Sequence, residues 1–311
     1  MSRYTIAFYN LENLFDTVND PKKMDETFTP RGAARWNEQK LEAKVQMLGA
    51  VIPTIGQADN PFAPVLIGVA EVENATVLKQ LVKVEPLKDL GYSFVHFDSP
   101  DERGIDTALL YRSSFFKVIE SKAVHVLIET EKGHPDLTRD ILHVVGELEG
   151  QRVHVLVNHW PSKRAGEKET AYKRMEVANQ NRAVITEIKK TEPDARIIIM
   201  GDFNDDPQSD SISQLVGTDF YNPMELLLTR DDGSTNYRGK WNLFDQILVS
   251  NNFMKPYDNP FTFEKAAIFN SDAVVIQDGD YKGNPFRTYA GPKYLGGVSD
   301  HFPVYAVFKV K

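Results

Sequence analysis

The chain has 311 residues, 41% hydrophobic and 26% charged, the balance of a folded globular protein with room for one large domain or two ordinary ones. It contains no cysteine, which excludes disulfides, thiolate metal sites and a cysteine nucleophile. A formal net charge of -8 disfavours broad, sequence-independent contact with duplex DNA, because phosphate neutralisation usually demands a basic protein.

Met-Ser-Arg-Tyr leads at once into an apolar strand, with no signal-like segment, so the expected compartment is the cytoplasm. Secretion or the periplasm stays open if a signal peptide was removed. No apolar run approaches the roughly 18–20 residues of a membrane span. The first strand, Tyr4-Thr5-Ile6-Ala7-Phe8-Tyr9, ends at Asn10, with Glu12 and Asn13 just beyond. Residues 16–37 read as a polar loop. Leu41, Val45, Leu48, Val51, Ile52 and Ile55 then follow at helical spacing, and Pro53 is expected to end that helix early. A strand over 65–70 leads to Glu71, and Asn74 is placed to cap a short helix through Val82.

Short strands are expected over 93–97, 107–111, 116–126 and 141–148. Glu149-Gly150-Gln151 joins the last of these to a strand over 152–159, a hairpin signature ending at Asn158-His159-Trp160. The longest helix is expected over 167–190, with Tyr172, Met175, Ala178, Val184, Ile185 and Ile188 on its inner face. Ile197-Ile198-Ile199-Met200 is a strand that presents Gly201-Asp202-Phe203-Asn204 at its end. In extended backbone Asp202 and Asn204 share one face and Phe203 takes the other. A helix is expected over 210–216. Trp241-Asn242-Leu243-Phe244 reads as a strand leading to Asp245. Residues 253–297, rich in Pro, Gly and Asn, carry no assignable element and read as a long loop region. Ser299-Asp300-His301 opens the last strand, over 302–308.

Polar residues thus abut apolar strands at six places between Asn10 and His301. Strand ends rimming a sheet are where open α/β folds place their chemistry. A carboxylate beside a carboxamide suits a phosphate and its attacking water. If the six meet, the first and last strands share one domain, so 1–311 is expected to be a single catalytic domain of α/β (α+β) type.

These motifs resemble the endonuclease/exonuclease/phosphatase (DNase I-like) superfamily. Phe8-Tyr9-Asn10 matches its opening motif and Gly68-Val69-Ala70-Glu71 its Glu motif. Asn158-His159 is a tightened form of its Asn-x-His region. Gly201-Asp202-Phe203-Asn204 and Ser299-Asp300-His301 match its most diagnostic signatures. Phe244-Asp245-Gln246-Ile247 resembles its Asp-Tyr-Ile element, with Gln246 where an aromatic is common. The resemblance spans the chain in order. It implies a four-layered α/β/β/α sandwich of two mainly antiparallel sheets, and Mg²⁺ or a similar hard cation (Mn²⁺, Ca²⁺).

A catalyst for phosphate-ester hydrolysis must neutralise charge, orient water and help the leaving oxygen depart. Mg²⁺ keeps several waters, so one or two carboxylates suffice to hold it. Glu71 is the expected ligand, with Asn10 and Asp300 completing the shell. Glu12 and Asn13 read equally as helpers or as turn residues. His301 beside Asp245 would form a dyad favouring imidazolium. Asp202 would activate or align water, Asn204 would hold a phosphate oxygen, and the general base stays open between Asp202 and His301. His159 is a second candidate for the transition state. Asn158, Lys163 and Arg164 are weaker substrate contacts, as is Arg103. His96, His125, His134, His143 and His154 have no such company and read as structural.

The expected function is a Mg²⁺-dependent phosphoesterase acting by direct attack of water, first of all a nuclease. A phosphatase or phosphodiesterase on an inositol-phosphate or sphingomyelin type of substrate is the alternative. A catalytically inactive binding module ranks third. The partner is a phosphate-ester substrate, nucleic acid being one candidate, and the protein is expected to be monomeric.

Overall fold

A computed structural model describes residues 2–130, 133–255 and 260–311. In chain order the strands are β1 (Ser2–Leu14), β2 (Leu66–Val72), β3 (Tyr92–His96), β4 (Asp106–Arg112), β5 (Phe116–Val124), β6 (Ile141–Leu148), β7 (Gln151–His159) and β8 (Ile197–Asp202). Then come β9 (Phe220–Tyr221), β10 (Thr235–Tyr237), β11 (Lys240–Asn242), β12 (Asp245–Ser250), β13 (Phe261–Ile268), β14 (Tyr289–Ala290), β15 (Lys293–Tyr294) and β16 (Val304–Val310). The helices are α1 (Glu38–Val51), α2 (Ala75–Leu81), α3 (Ala171–Thr191) and α4 (Asp210–Val216).

Two six-stranded sheets carry the fold, in the orders β13-β16-β1-β2-β4-β3 and β5-β6-β7-β8-β12-β9. Pairing is antiparallel except for β1 with β2 and β7 with β8. Alternation along each strand explains the layers. On β1, Ile6 and Phe8 point at the second sheet, into a core shared with Val155, Val157, Ile198 and Met200. Ala7, Tyr9 and Leu11 point the other way, against Leu41, Leu48 and Leu78 of α1 and α2. On the far side, Leu156, Ile197 and Ile199 meet Val177, Ala178 and Ile185 of α3 and Ile212 of α4. Both faces of each central strand are therefore apolar, as strands covered on both sides must be. The result is the α/β/β/α arrangement.

The helix starts follow their caps. Asn37 accepts the Lys40 N–H at the start of α1, and Asn74 accepts from Thr76 and Val77 at the start of α2. α1 gives way at Val51 to a short 3₁₀ turn holding Pro53.

Four readings of the sequence change. α3 begins at Ala171 rather than 167, and Tyr172 is exposed; Arg174, Val177 and Asn181 occupy the inner face beside Ala178, Ile185 and Ile188. Asp245 opens β12 instead of following a strand, since β11 stops at Asn242. The last strand begins at Val304. Within 253–297, β13 is a true edge strand, paired along its length with β16; residues 256–259 of that stretch lie outside the described residues.

Candidate active site

Register brings the polar strand ends together. His159 stands opposite Asp202, and Asp202 opposite Asp245, at one end of the second sheet. On the first sheet Asn10 is opposite Ala70, the residue before Glu71. The β1–β2 register breaks after Asn10 and the β2–β4 register breaks after Ala70, so bulges re-aim the residues beyond. Glu12, Asn13, Glu71 and Asn204 all have left-handed backbone, with φ of 47°, 55°, 61° and 49°. Such strain in non-glycine residues costs about 1–3 kcal/mol each and clusters at functional sites.

The sheets are joined across this end. Asn10 Nδ2 donates to Asp202 Oδ2 at 3.0 Å. His159 Nε2 lies 3.7 Å from Asp202 Oδ2 and 3.9 Å from Glu71 Oε1. His301 Nδ1 lies 2.6 Å from Asp245 Oδ2, which also accepts the Ser234 hydroxyl at 2.6 Å. The other ring nitrogen of His301 faces Asp300 Oδ1 at 3.9 Å and Asp202 Oδ2 at 4.0 Å. Glu71 Oε2 accepts the Asn13 N–H at 2.9 Å, and Asp300 Oδ2 accepts Arg287 Nη2 at 2.9 Å.

Their surroundings push the two histidines in opposite directions. Burial opposes charge on His301, but Asp245, then Asp202 and Asp300, outweigh it and hold its pKa well above the ordinary value. His159 is pushed well below, by burial and by Arg139 and Arg103. Burial raises Asp202 to about 7 against the pull of His301 and the hydrogen bonds from Asn204 and Asn10. Glu12, buried beside Asp300, is raised to about 7 while Lys44 opposes the shift.

The donors fit a hard divalent cation. Oxygens of Glu71, Asp202 and Asp300 border the cluster, no thiolate exists in the chain, and the buried Asp245 Oδ1 has no hydrogen-bond partner; Asn10 turns Nδ2 to Asp202 while its Oδ1 accepts the Glu12 N–H at 2.9 Å. Asp202, Asp245 and His301 also present ligand atoms within 4.8 Å of one another.

Several expectations need correction. Asn158 does not face the site, because it and His159 alternate on β7. Its Oδ1 accepts from Trp160 Nε1 at 3.0 Å and Asn181 Nδ2 at 2.8 Å, beneath α3. Asn204 does not share an extended face with Asp202: its backbone turns back, its N–H donates to Asp202 Oδ1 at 2.9 Å, and its Nδ2 donates to Trp160 O at 3.0 Å. Lys163 is engaged by Glu167 Oε1 at 2.6 Å and Asp205 Oδ1 at 3.0 Å, over the Phe244 ring. Arg164 is exposed, yet its charge reaches His159. His96, His125, His143 and His154 do have polar company: His96 with Asp98, His125 with Asp140, and His143 with His154.

Other site residues carried no motif. Ser234 and Arg287 come from the loops that reach Asp245 and Asp300. Arg139 is buried, donating to His159 O at 3.2 Å, Trp160 O at 2.7 Å and Asp101 Oδ2 at 3.0 Å. Arg103, named from the sequence as a weak substrate contact, donates Nη2 to Asn13 Oδ1 at 3.0 Å. Beside Glu12 a cavity of about 390 Å³ is lined by Phe28, Trp36, Arg287, Tyr289 and Pro292.

A family model described as "Endonuclease/Exonuclease/phosphatase family" matches residues 5–310. No curated protein sequence matches the chain. Among solved structures, TDP2 from D. rerio complexed with single strand DNA product superposes with a TM-score of 0.61 at 18% identity, covering 100% of both chains. Truncated Caenorhabditis elegans TDP2 gives 0.62 at 17% identity, over 99% of this chain and 98% of that one. A mannosyl-6-phosphatase from Bacteroides thetaiotaomicron gives 0.58 at 19%, over 97% and 98%. At such identities the likeness speaks for the fold, the DNase I-like sandwich. The family match over nearly the whole length goes further: the chain belongs to the endonuclease/exonuclease/phosphatase family of metal-dependent phosphate-ester hydrolases.

Proposed function

We propose that this protein is a Mg²⁺-dependent phosphodiesterase that cleaves nucleic-acid P–O bonds by direct attack of water, as a monomer with one catalytic domain over 1–311. The observation that carries this reading is the buried Asp202, with His159 Nε2 at 3.7 Å and His301 Nε2 at 4.0 Å from its Oδ2. Glu71, Asn10 and Asp300 would hold the cation; Mn²⁺ and Ca²⁺ suit the same oxygens. When bound, the cation supplies Lewis-acid stabilisation of charge on the phosphoryl oxygens.

Asp202 takes the proton from the attacking water, because hydrogen bonds from Asn10 and Asn204 fix its carboxylate. His301 serves as the cationic donor. Asp245 orients its ring through Nδ1 and leaves Nε2–H free to stabilise the pentacovalent phosphate or protonate the leaving oxygen. Ser234 fixes Asp245 in turn. His159, held by its backbone through Arg139, offers a second, neutral donor. Asn204 acts by orienting Asp202, since its own amide is committed to Trp160.

The aromatic cavity beside Glu12 favours a nucleic-acid substrate. Phe28 and Tyr289 offer ring surface and Arg287 a cation, and base stacking on such rings is worth about 1–3 kcal/mol per base. The D. rerio TDP2 complex with single strand DNA product supports the same reading. A second reading, a phosphatase on a small or lipid-derived phosphate, is favoured by the net charge of -8 and by the mannosyl-6-phosphatase neighbour.

The test strips the protein with a chelator, restores Mg²⁺, and offers single-stranded DNA, abasic duplex, RNA, sugar phosphates, inositol phosphates and sphingomyelin. His301→Ala is the control. Metal-dependent cleavage of nucleic acid is expected. Turnover of sugar or inositol phosphates alone would discard the nucleic-acid reading, and activity surviving exhaustive chelation would discard the metal.

A further inference from the structure

A second group of side chains, outside the catalytic centre, has the arrangement of a cation site. His96 closes β3, Asp106 opens β4, and Asp98 stands in the loop between them. One ligand atom from each lies within 4.8 Å of the others. We propose that His96, Asp98 and Asp106 bind a divalent cation of the zinc class, which fastens the 97–105 loop to the first sheet.

The tautomer of His96 carries the argument. Its Nδ1 is 3.1 Å from Thr107 O, a backbone carbonyl that can only accept, so Nδ1 bears a proton. Its other ring nitrogen, Nε2, then faces Asp98 Oδ1 at 3.1 Å. A ring whose Nδ1–H is held by a backbone carbonyl is the orientation a metal-ligating histidine takes, with Nε2 turned toward the ion. The His96 side chain is only 3% exposed. Ligands about 2.0–2.2 Å from one Zn²⁺ stand about 2.9–3.4 Å apart at octahedral or tetrahedral angles, which brackets the observed separation.

The third ligand is buried. Asp106 is 3% exposed, and its Oδ1 accepts the Ser99 N–H at 3.2 Å. One imidazole nitrogen with two carboxylate oxygens suits Zn²⁺ better than Mg²⁺, which takes oxygen ligands. The group lies outside the catalytic centre, and the inference stands apart from the substrate reading.

The loop it would fasten reaches the active site twice. Asp101 accepts from Arg139, which holds the backbone of His159, and Arg103 bonds Asn13 in the field of Glu71. The cation would be structural, and its effect on catalysis would be one of position.

The full-length, metal-stripped protein is titrated with Zn²⁺ by calorimetry, with excess Mg²⁺ present to occupy the catalytic centre. A single Zn²⁺ is expected to bind, and to bind equally in Glu71→Gln. His96→Gln and Asp98→Asn should weaken it by at least about 10- to 100-fold, the loss caused by removing even an outer-shell partner of a metal ligand. The Asp98 side chain is 81% exposed, so that variant leaves the fold intact. A two-bond ¹H–¹⁵N spectrum should show His96 Nε2 unprotonated and shifted by Zn²⁺. Four outcomes would overturn the proposal: no Zn²⁺ binding over Mg²⁺, undiminished binding in Asp98→Asn, binding lost in Glu71→Gln, or a proton retained on Nε2 at saturation.

Discussion

Asp245 is fully buried, and one of its oxygens receives both His301 Nδ1 and the Ser234 hydroxyl. Replacing that carboxylate by an amide removes the charge that keeps His301 protonated against its own burial. Asp245→Asn should therefore lower kcat by about 10²–10⁴, the range of a lost acid–base group, with little change in KM. Steady-state kinetics at saturating Mg²⁺ decide this, and a loss below about tenfold would remove the dyad from the mechanism. Glu71→Gln should behave differently. It weakens the cation more than the chemistry, so raising Mg²⁺ should restore part of the rate, seen as a shifted metal dependence of the initial velocity. Both residues were legible in the sequence, because a carboxylate abutting an apolar strand has few other reasons to be there. Asn158 could also have been placed, since neighbours on a strand face opposite ways and only one of Asn158 and His159 can point at the site. Ser234, Arg139 and Arg287 could not. They arrive from loops without periodicity, and only tertiary structure chooses their partners.

Strands whose two faces are both covered announced themselves as continuous apolar runs, and β1, β2, β7 and β8 were legible for that reason. β13 was not. It is an edge strand, half-buried along most of its length, and its pairing slips between Phe263 and Lys265, so neither alternation nor a run marks it. Gly201 shows what a motif glycine does physically. A Cβ there would lie 2.4 Å from Asn158 O, a backbone atom of β7 that cannot turn aside. Gly201→Ala must therefore prise β7 from β8 at the point where His159 and Asp202 are paired. The expected cost is about 1–3 kcal/mol of stability, as for other overpacked interiors. Denaturant melts should show a lower midpoint at unchanged slope, and activity should fall through displacement of Asp202. A variant with undiminished stability would mean that the strands have slack at this point.

Acid stability is a property of the whole molecule, and buried histidines and buried carboxylates pull it in opposite directions. His143 and His154 stack on the outer face of the second sheet, with ring centroids 5.3 Å apart and His143 Nε2 3.0 Å from His154 Nδ1. Lys122 and Arg152 bring positive charge to the pair and Glu192 negative charge, with Glu120 and Glu187 on the same cavity. Burial, then the neighbouring His154 and Lys122, lower His143 to about 3; burial also lowers His154, against the pull of Glu192. The unfolded chain takes up a proton near pH 6.5, where the folded chain refuses it. Between about 6.5 and about 3 the unfolded state thus binds more protons, and stability falls as pH falls through that window. Glu73 works in the opposite sense: burial raises it to about 8, so the folded chain gains a proton first and stability rises as pH drops below that value. The wild-type curve sums both, and the informative quantity is its difference from His143→Gln, which keeps a donor near His154 but does not titrate. That variant should lose less stability than wild type between about pH 6.5 and about pH 4, whatever its stability at neutral pH. Parallel curves from urea melts across this range would show that the pair is not held neutral by burial.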